Sequence, residues 1–150
     1  MTLADPALVF VPRPRAAGLQ REDTPEAKFG KLEALVTPTT PAQEDLALLA
    51  ELLSLQGARS TPPNLSPQRK REKTFEALLR QLELLARQKP VLVIFEDVHW
   101  IDPSSRELLD LLIERVRRLP VLLLITFRPE FQSPWTGQPH VTLLAIARQS

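Results

Sequence analysis

The stretch VLVIFED, residues 91–97, decides how the chain is read. Val91 to Phe95 are five uninterrupted apolar residues, mostly β-branched or aromatic. That pattern predicts a strand buried on both faces, as in a parallel sheet, rather than the alternation of a half-exposed strand. Its borders are sharp. Upstream, Lys89-Pro90 breaks a helical pattern. Downstream, Asp102-Pro103 reads as an N-cap followed by proline at the first helical position. Leu108, Leu109, Leu112, Ile113 and Val116 then give helical spacing. Arg115, Arg117 and Arg118 sit at the helix end, where cations suit the helix dipole. Pro120 stops the helix, and VLLLITF, residues 121–127, reads as a second buried strand. Strand, loop, helix and strand over 91–127 make a βαβ unit, which implies parallel pairing through a right-handed crossover. The expected fold class is α/β.

Outward from this unit, residues 68–90 carry seven Lys or Arg against three Glu. Phe75, Leu78, Leu79, Leu82 and Leu85 fall at helical spacing, so this is an amphipathic helix, expected over 72–88, with the basic run Arg69-Lys70-Arg71 ahead of it. Further upstream the chain is less regular: nine of its 15 prolines lie in residues 1–67. Thr24-Pro25-Glu26 is a helix start, with Phe29, Leu32, Leu35 and Val36 on one face and Thr37-Pro38 as the stop. A second helix is expected from Pro41 to Leu55, carrying Leu46, Leu49, Leu52 and Leu53 and ending at Gly57. Residues 58–67 read as a loop. Three segments result: 1–22, irregular; 23–67, helical with proline-rich loops; and 68–147, the α/β core.

The 150 residues are 43% apolar and 25% charged, with a formal net charge of +1. That balance gives no prior for nucleic-acid binding. Without cysteine, disulfide scaffolds, redox CxxC motifs and cysteine zinc sites are excluded. His99 and His140 alone cannot form a histidine metal cluster. The apolar run Ala7 to Val11 is too short for a signal peptide and lacks a basic leader. No run reaches the roughly 20 apolar residues of a membrane helix. A cytoplasmic location is the expectation these absences leave. Gly 4 against Pro 15 is the oddest balance, because glycine is what phosphate-cradling loops are made of.

Chemistry concentrates where the first strand ends. In open parallel α/β sheets, ligands bind beyond the carboxyl ends of the strands. Glu96 and Asp97 stand there as adjacent acids. Such a pair suits a nucleotide-bound Mg²⁺, with one carboxylate on the metal or its waters and the next on the attacking water. The competing reading is that they only finish the strand and the turn. His99 reads as a satisfied structural residue, or as a contact to a neighbouring loop or to the nucleotide site. Trp100 is expected to pack, Asp102 to cap its helix and Trp135 to anchor a loop. Ser104 and Ser105 lack a His-Asp partner, so serine hydrolysis is not supported.

Two longer motifs carry a family resemblance. VLVIFEDVHWIDPSS, residues 91–105, resembles the Walker B segment of STAND-type P-loop ATPases, a branch of the AAA-related NTPases used as signalling switches. LLLITFRPEF, residues 122–131, resembles the sensor 1 strand that comes after it. The likeness extends from about Asp23 to Ala147 through DTPEAK, LLAELLSL, LSPQRKREKTFEALLRQLE and PWTGQPHVTLLA, and is most specific over 69–144. Residues 1–22 do not resemble the family. The sequence is similar in particular to ATPase segments of large bacterial proteins of the adenylate/guanylate cyclase-like or LuxR-like kind. The resemblance implies a partial P-loop NTPase fold with ATP and Mg²⁺ as cofactors of the complete module. It places Glu96 at the Mg²⁺-coordinating position and Asp97 at the water-polarising position. Arg128 takes the place of the sensor arginine facing the terminal phosphate.

One expected part is missing from these 150 residues. A P-loop reads GxxxxGK[ST]. The Gly-Lys pair Gly30-Lys31 has Pro25 where the first glycine should stand and Leu32 where the hydroxyl should, inside an amphipathic helix. The expectation is therefore an internal fragment of an ATPase switch, with Walker B and sensor 1 but not Walker A, inactive alone. In the family the missing strand would lie beside Val121–Phe127, leaving an open apolar edge here. The alternative is a non-catalytic interaction fragment that packs on the rest of a multidomain protein or on another chain. Nothing in these residues supports cyclase chemistry, nucleic-acid binding or membrane insertion.

Overall fold

The computed structural model describes residues 8–11, 23–36, 43–52 and 64–146. In chain order these form β1 (Leu8–Val11), α1 (Pro25–Val36), α2 (Gln43–Leu52), α3 (Pro67–Gln88), β2 (Val91–Phe95), α4 (Pro103–Val116) and β3 (Val121–Ile125), with a single 3₁₀ turn at Val98–Trp100 before α4. β2 pairs parallel to β3, Val91 against Val121 through Phe95 against Ile125. The βαβ unit is thus formed as its sequence implies. The molecule is α/β, with two parallel strands and helices in the manner of a partial P-loop NTPase fold.

Three features depart from the sequence expectation. First, the sheet is mixed. Leu8–Val11 pairs antiparallel with β2, Leu8 opposite Phe95 and Val11 opposite Leu92, inside the segment expected to be irregular. A four-residue apolar run supplies the edge, and its pairing partner lies some eighty residues away, which no local pattern reveals. Second, β2 is not buried on both faces. Val91, Val93 and Phe95 are buried, but Leu92 is exposed and Ile94 only half-buried. β3 alternates likewise, with Leu122 66% exposed. The reason is layering: α3 and α4 both lie on one side, and among the described residues no helix covers the other. Third, α3 begins at Pro67, so Arg69, Lys70 and Arg71 lie within the helix and not ahead of it.

The helix termini obey their sequence signals. Thr24 Oγ1 accepts a hydrogen bond from the Ala27 amide at 3.2 Å, and Ser66 Oγ accepts one from Arg69 at 3.3 Å. Pro25, Pro67 and Pro103 occupy first-turn positions, where the missing N–H costs nothing. Leu53, the helix expected to run on to Leu55, its stop at Gly57 and most of the 58–67 loop lie outside the described residues, as do the side chains of Leu35 and Val36.

α3 is shared by two cores. Phe75, Leu79, Leu82 and Ala86, one face at i, i+4, i+7 and i+11, pack with Val91, Val93 and Phe95 of β2, with Leu108, Leu109, Leu112 and Ile113 of α4, and with Trp135. Ala77 joins Phe29 and Leu32 of α1 and Leu49 and Ala50 of α2 in a second cluster. Burying each such leucine or phenylalanine contributes about 1.5–3 kcal/mol. Cross-helix ion pairs border the second cluster: Arg80 grips Asp45 through Nε (2.8 Å) and Nη2 (3.2 Å), Lys73 meets Glu44 and Lys70 meets Glu51. No helix among the described residues is long and apolar enough to cross a membrane.

Candidate functional site

The parallel pair brings two loops side by side at its carboxyl end. Strands in a sheet lie about 4.8 Å apart, so the loop leaving Phe95 and the loop leaving Ile125 are neighbours. Three hydrogen bonds join them. The Thr126 amide donates to the Phe95 carbonyl (2.8 Å), the Val98 amide to the Thr126 carbonyl (3.0 Å), and the Asp97 amide to Thr126 Oγ1 (3.1 Å). Asp97 itself is left-handed, at φ 54° and ψ 40°, the single non-glycine residue with positive φ among those described. Asp tolerates this region better than most side chains, yet a left-handed residue costs about 1–2 kcal/mol. The Thr126 clamp holds it there. The sequence does not single out Thr126. Its signal is faint: a hydroxyl residue directly after a buried apolar strand.

Glu96 and Asp97 are both exposed, and neither carboxylate accepts a hydrogen bond from a described residue. Arg128, two residues beyond Thr126, is also exposed and makes no ion pair with a described residue. The structure therefore sets all three predicted residues on the same end of the sheet without tying them to one another. Two oxygen donors suit Mg²⁺, which takes one or two protein carboxylates and completes its octahedron with phosphates and water. Among the described residues no group of three or more His, Asp or Glu converges, so the set fits an ion that arrives with its phosphates and not a protein cage.

The flanking residues divide. Asp102 caps α4 as its sequence implies: Oδ1 accepts from the Ser104 and Ser105 amides, both at 3.0 Å, and Oδ2 accepts from Ser105 Oγ at 2.6 Å. Partial burial opposes the charge, but the Ser105 hydroxyl and the two amides outweigh it and hold the carboxyl below its ordinary range. Ser104 and Ser105 are thus capping residues. Trp135 anchors its loop, with Nε1–H donating to Asp110 Oδ1 at 2.6 Å. Its ring continues a ladder from Phe127 through Phe131. His140 Nε2 reaches the Ile113 carbonyl in the last turn of α4 at 3.0 Å. Trp100 corrects the expectation of packing: it is 72% exposed, because the 3₁₀ turn projects it away from the core that Val98 enters. His99 is not the satisfied structural residue expected, for neither ring nitrogen has a hydrogen-bond partner among the described residues.

The basic run of α3 is spent on neighbouring acids. Arg69 meets Glu72 at 3.0 Å, Lys70 meets Glu51 at 3.0 Å, and Arg71 stands 3.4 Å from Glu107 without hydrogen-bond geometry at Nε. A cavity of about 590 Å³ lies where α2 meets the starts of α3 and α4, lined by Leu48, Leu52, Leu65, Lys70 and Arg71 among others. None of Glu96, Asp97 and Arg128 lines it.

Glu96, Asp97 and Arg128 thus stand beyond the carboxyl ends of two parallel strands, the place where open α/β sheets bind their ligands. Comparison with known proteins gives the class. The AAA ATPase domain model matches residues 14–125, so the chain belongs to that family. The match begins at residue 14, which corrects the expectation that residues 1–22 do not resemble the family: their last part belongs to it. An uncharacterized protein of Rhizobium meliloti (strain 1021) is 45% identical over 95 residues, covering 63% of this chain and 9% of that protein. The chain thus spans under a tenth of the length of the curated relative it matches. No solved structure matches it significantly.

Proposed function

We propose that this chain carries the acid and sensor residues of a STAND-type ATPase switch in a signalling protein. The observation behind the reading is the adjacency of the two strand ends, whose loops are joined through Thr126, with Glu96 and Asp97 exposed beyond β2 and Arg128 exposed beyond β3. Magnesium, bound together with ATP, would supply charge neutralisation at the phosphates. Glu96 is the carboxylate that would hold it. Asp97 accepts a hydrogen bond from the attacking water and so orients it; as the shorter acid it suits slow turnover. Arg128 stabilises charge on the terminal phosphate or registers its loss.

The phosphate cradle is not among these residues. Gly30-Lys31 lies within α1, as a helical pattern requires, and offers no loop of free amides. Two carboxylates without that cradle repel phosphate. The chain alone is therefore expected to bind Mg²⁺–ATP weakly or not at all. Calorimetry on this chain, and on a polypeptide extended upstream to include a GxxxxGK[ST] loop, tests both halves. Micromolar binding by the short chain overturns the need for a separate cradle. Hydrolysis by the longer one that survives Asp97→Asn and Arg128→Ala overturns the roles given to those residues. The open sheet face at Leu92, Leu122 and Leu124 favours a second reading, in which the segment serves as a packing surface for more polypeptide.

A further inference from the structure

His99 is the unexplained residue beside Asp97. Its side chain is 11% exposed, and both ring nitrogens are shielded from water without a hydrogen-bond partner among the described residues. A buried donor left without a partner is costly. Asp97 Oδ1 lies 4.0 Å from Nδ1, and no other carboxylate of the described residues comes within that distance of the ring. The two differ in freedom. His99 is fixed by burial and by Trp100, whose ring centroid lies 5.4 Å from its own. The Asp97 side chain is 73% exposed and accepts no bond from a described residue, although its backbone is pinned in the left-handed region by Thr126. A shift of about 1 Å by the exposed Asp97 carboxylate would bring the pair to hydrogen-bond distance.

We propose that His99 is a positioning residue for Asp97, with the neutral imidazole donating its Nδ1–H to the carboxylate. The bond leaves the acid ionised. It fixes one carboxylate oxygen against the protein and leaves the other facing outward beyond the strand. Asp97 is then held at two points, its amide by Thr126 and its side chain by His99. The positioning role rests on the reading of Asp97 as the acid of the site. The bond itself does not.

Long-range ¹H–¹⁵N spectra of the nucleotide-free chain at about pH 8, where an ordinary imidazole is neutral, read the tautomer directly. His99→Gln identifies which of the two histidine patterns belongs to His99. The expected result is Nδ1–H for His99, against the Nε2–H that a free neutral imidazole favours. In Asp97→Gly the pattern is expected to revert to Nε2–H. Glycine takes φ 54° without strain, so this variant keeps the turn while losing the carboxylate. The His140 signals, reporting its bond to the Ile113 carbonyl, serve as the control for folding. Nε2–H at His99 in the parent chain, or Nδ1–H that persists in Asp97→Gly, overturns the proposal. No nucleotide enters the measurement, so its failure is distinct from failure of the ATPase reading.

Discussion

At the scale of single residues, Asp102 shows how much one side chain can organise. It satisfies two of the four amides that a helix start leaves open, and through Ser105 Oγ it orients a third group. Replacing an N-cap by alanine costs typically about 1 kcal/mol, so Asp102→Ala is expected to lower unfolding free energy by about that much at neutral pH. The pH dependence has a definite sign. The hydrogen bonds at the cap hold the folded-state carboxyl below its ordinary range. Its contribution is therefore fully present above the unfolded-state value and is lost as pH falls through the folded-state one. Urea denaturation of parent and variant should show the largest gap near pH 7 and a shrinking one below about pH 4. A gap that is constant with pH would show that the charge contributes nothing to the cap.

At the scale of elements, α2 and α3 are joined by three ion pairs that look alike in sequence and differ in worth. Glu51 and Lys70 both reach solvent, so their pair contributes about 0–1 kcal/mol. Asp45 is buried, with only 5% of its side chain exposed, and Arg80 holds both its oxygens. Arg80→Ala leaves a buried carboxylate unpaired and is expected to cost about 3 kcal/mol, toward the low end for breaking such a pair. Asp45→Ala should cost less, because the half-exposed guanidinium recovers water. Equal losses for the two, measured by chemical denaturation, would contradict this asymmetry. Legibility also sorts at this scale. Asp102-Pro103, Thr24-Pro25 and the βαβ unit are readable because caps, proline and apolar runs act over a few residues. The antiparallel pairing of Leu8–Val11 with β2 is not, since it depends on a partner far along the chain. Glu96, Asp97 and Arg128 stand out as strand-end residues. The Thr126 clamp, the left-handed turn at Asp97 and the exposure of Trp100 do not, because each is set by how two loops meet.

At the scale of the whole molecule, the layers are unequal. One sheet face carries α3, α4 and Trp135, while the other presents Leu92, Leu122 and Leu124. The register places Leu92 beside Leu122 and Ile94 beside Leu124, so these aliphatic side chains form one continuous patch. β3 also has no strand on its far side among the described residues. Five apolar residues without a charge or proline are the kind of edge that pairs with other chains. Exposed leucines contribute little to folding stability, since burial is what makes them stabilising. Leu122→Lys and Leu124→Lys are therefore expected to suppress self-association in light scattering while moving the denaturation midpoint little. Leu109→Ala, at a fully buried position of α4, should cost about 2–5 kcal/mol and leave the patch untouched. If the lysine variants destabilise as much as Leu109→Ala, the face is covered in solution by residues of this same chain. If they destabilise little but association persists, the contact lies elsewhere, with exposed Leu143, Leu144 and Ile146 as the next apolar group to change.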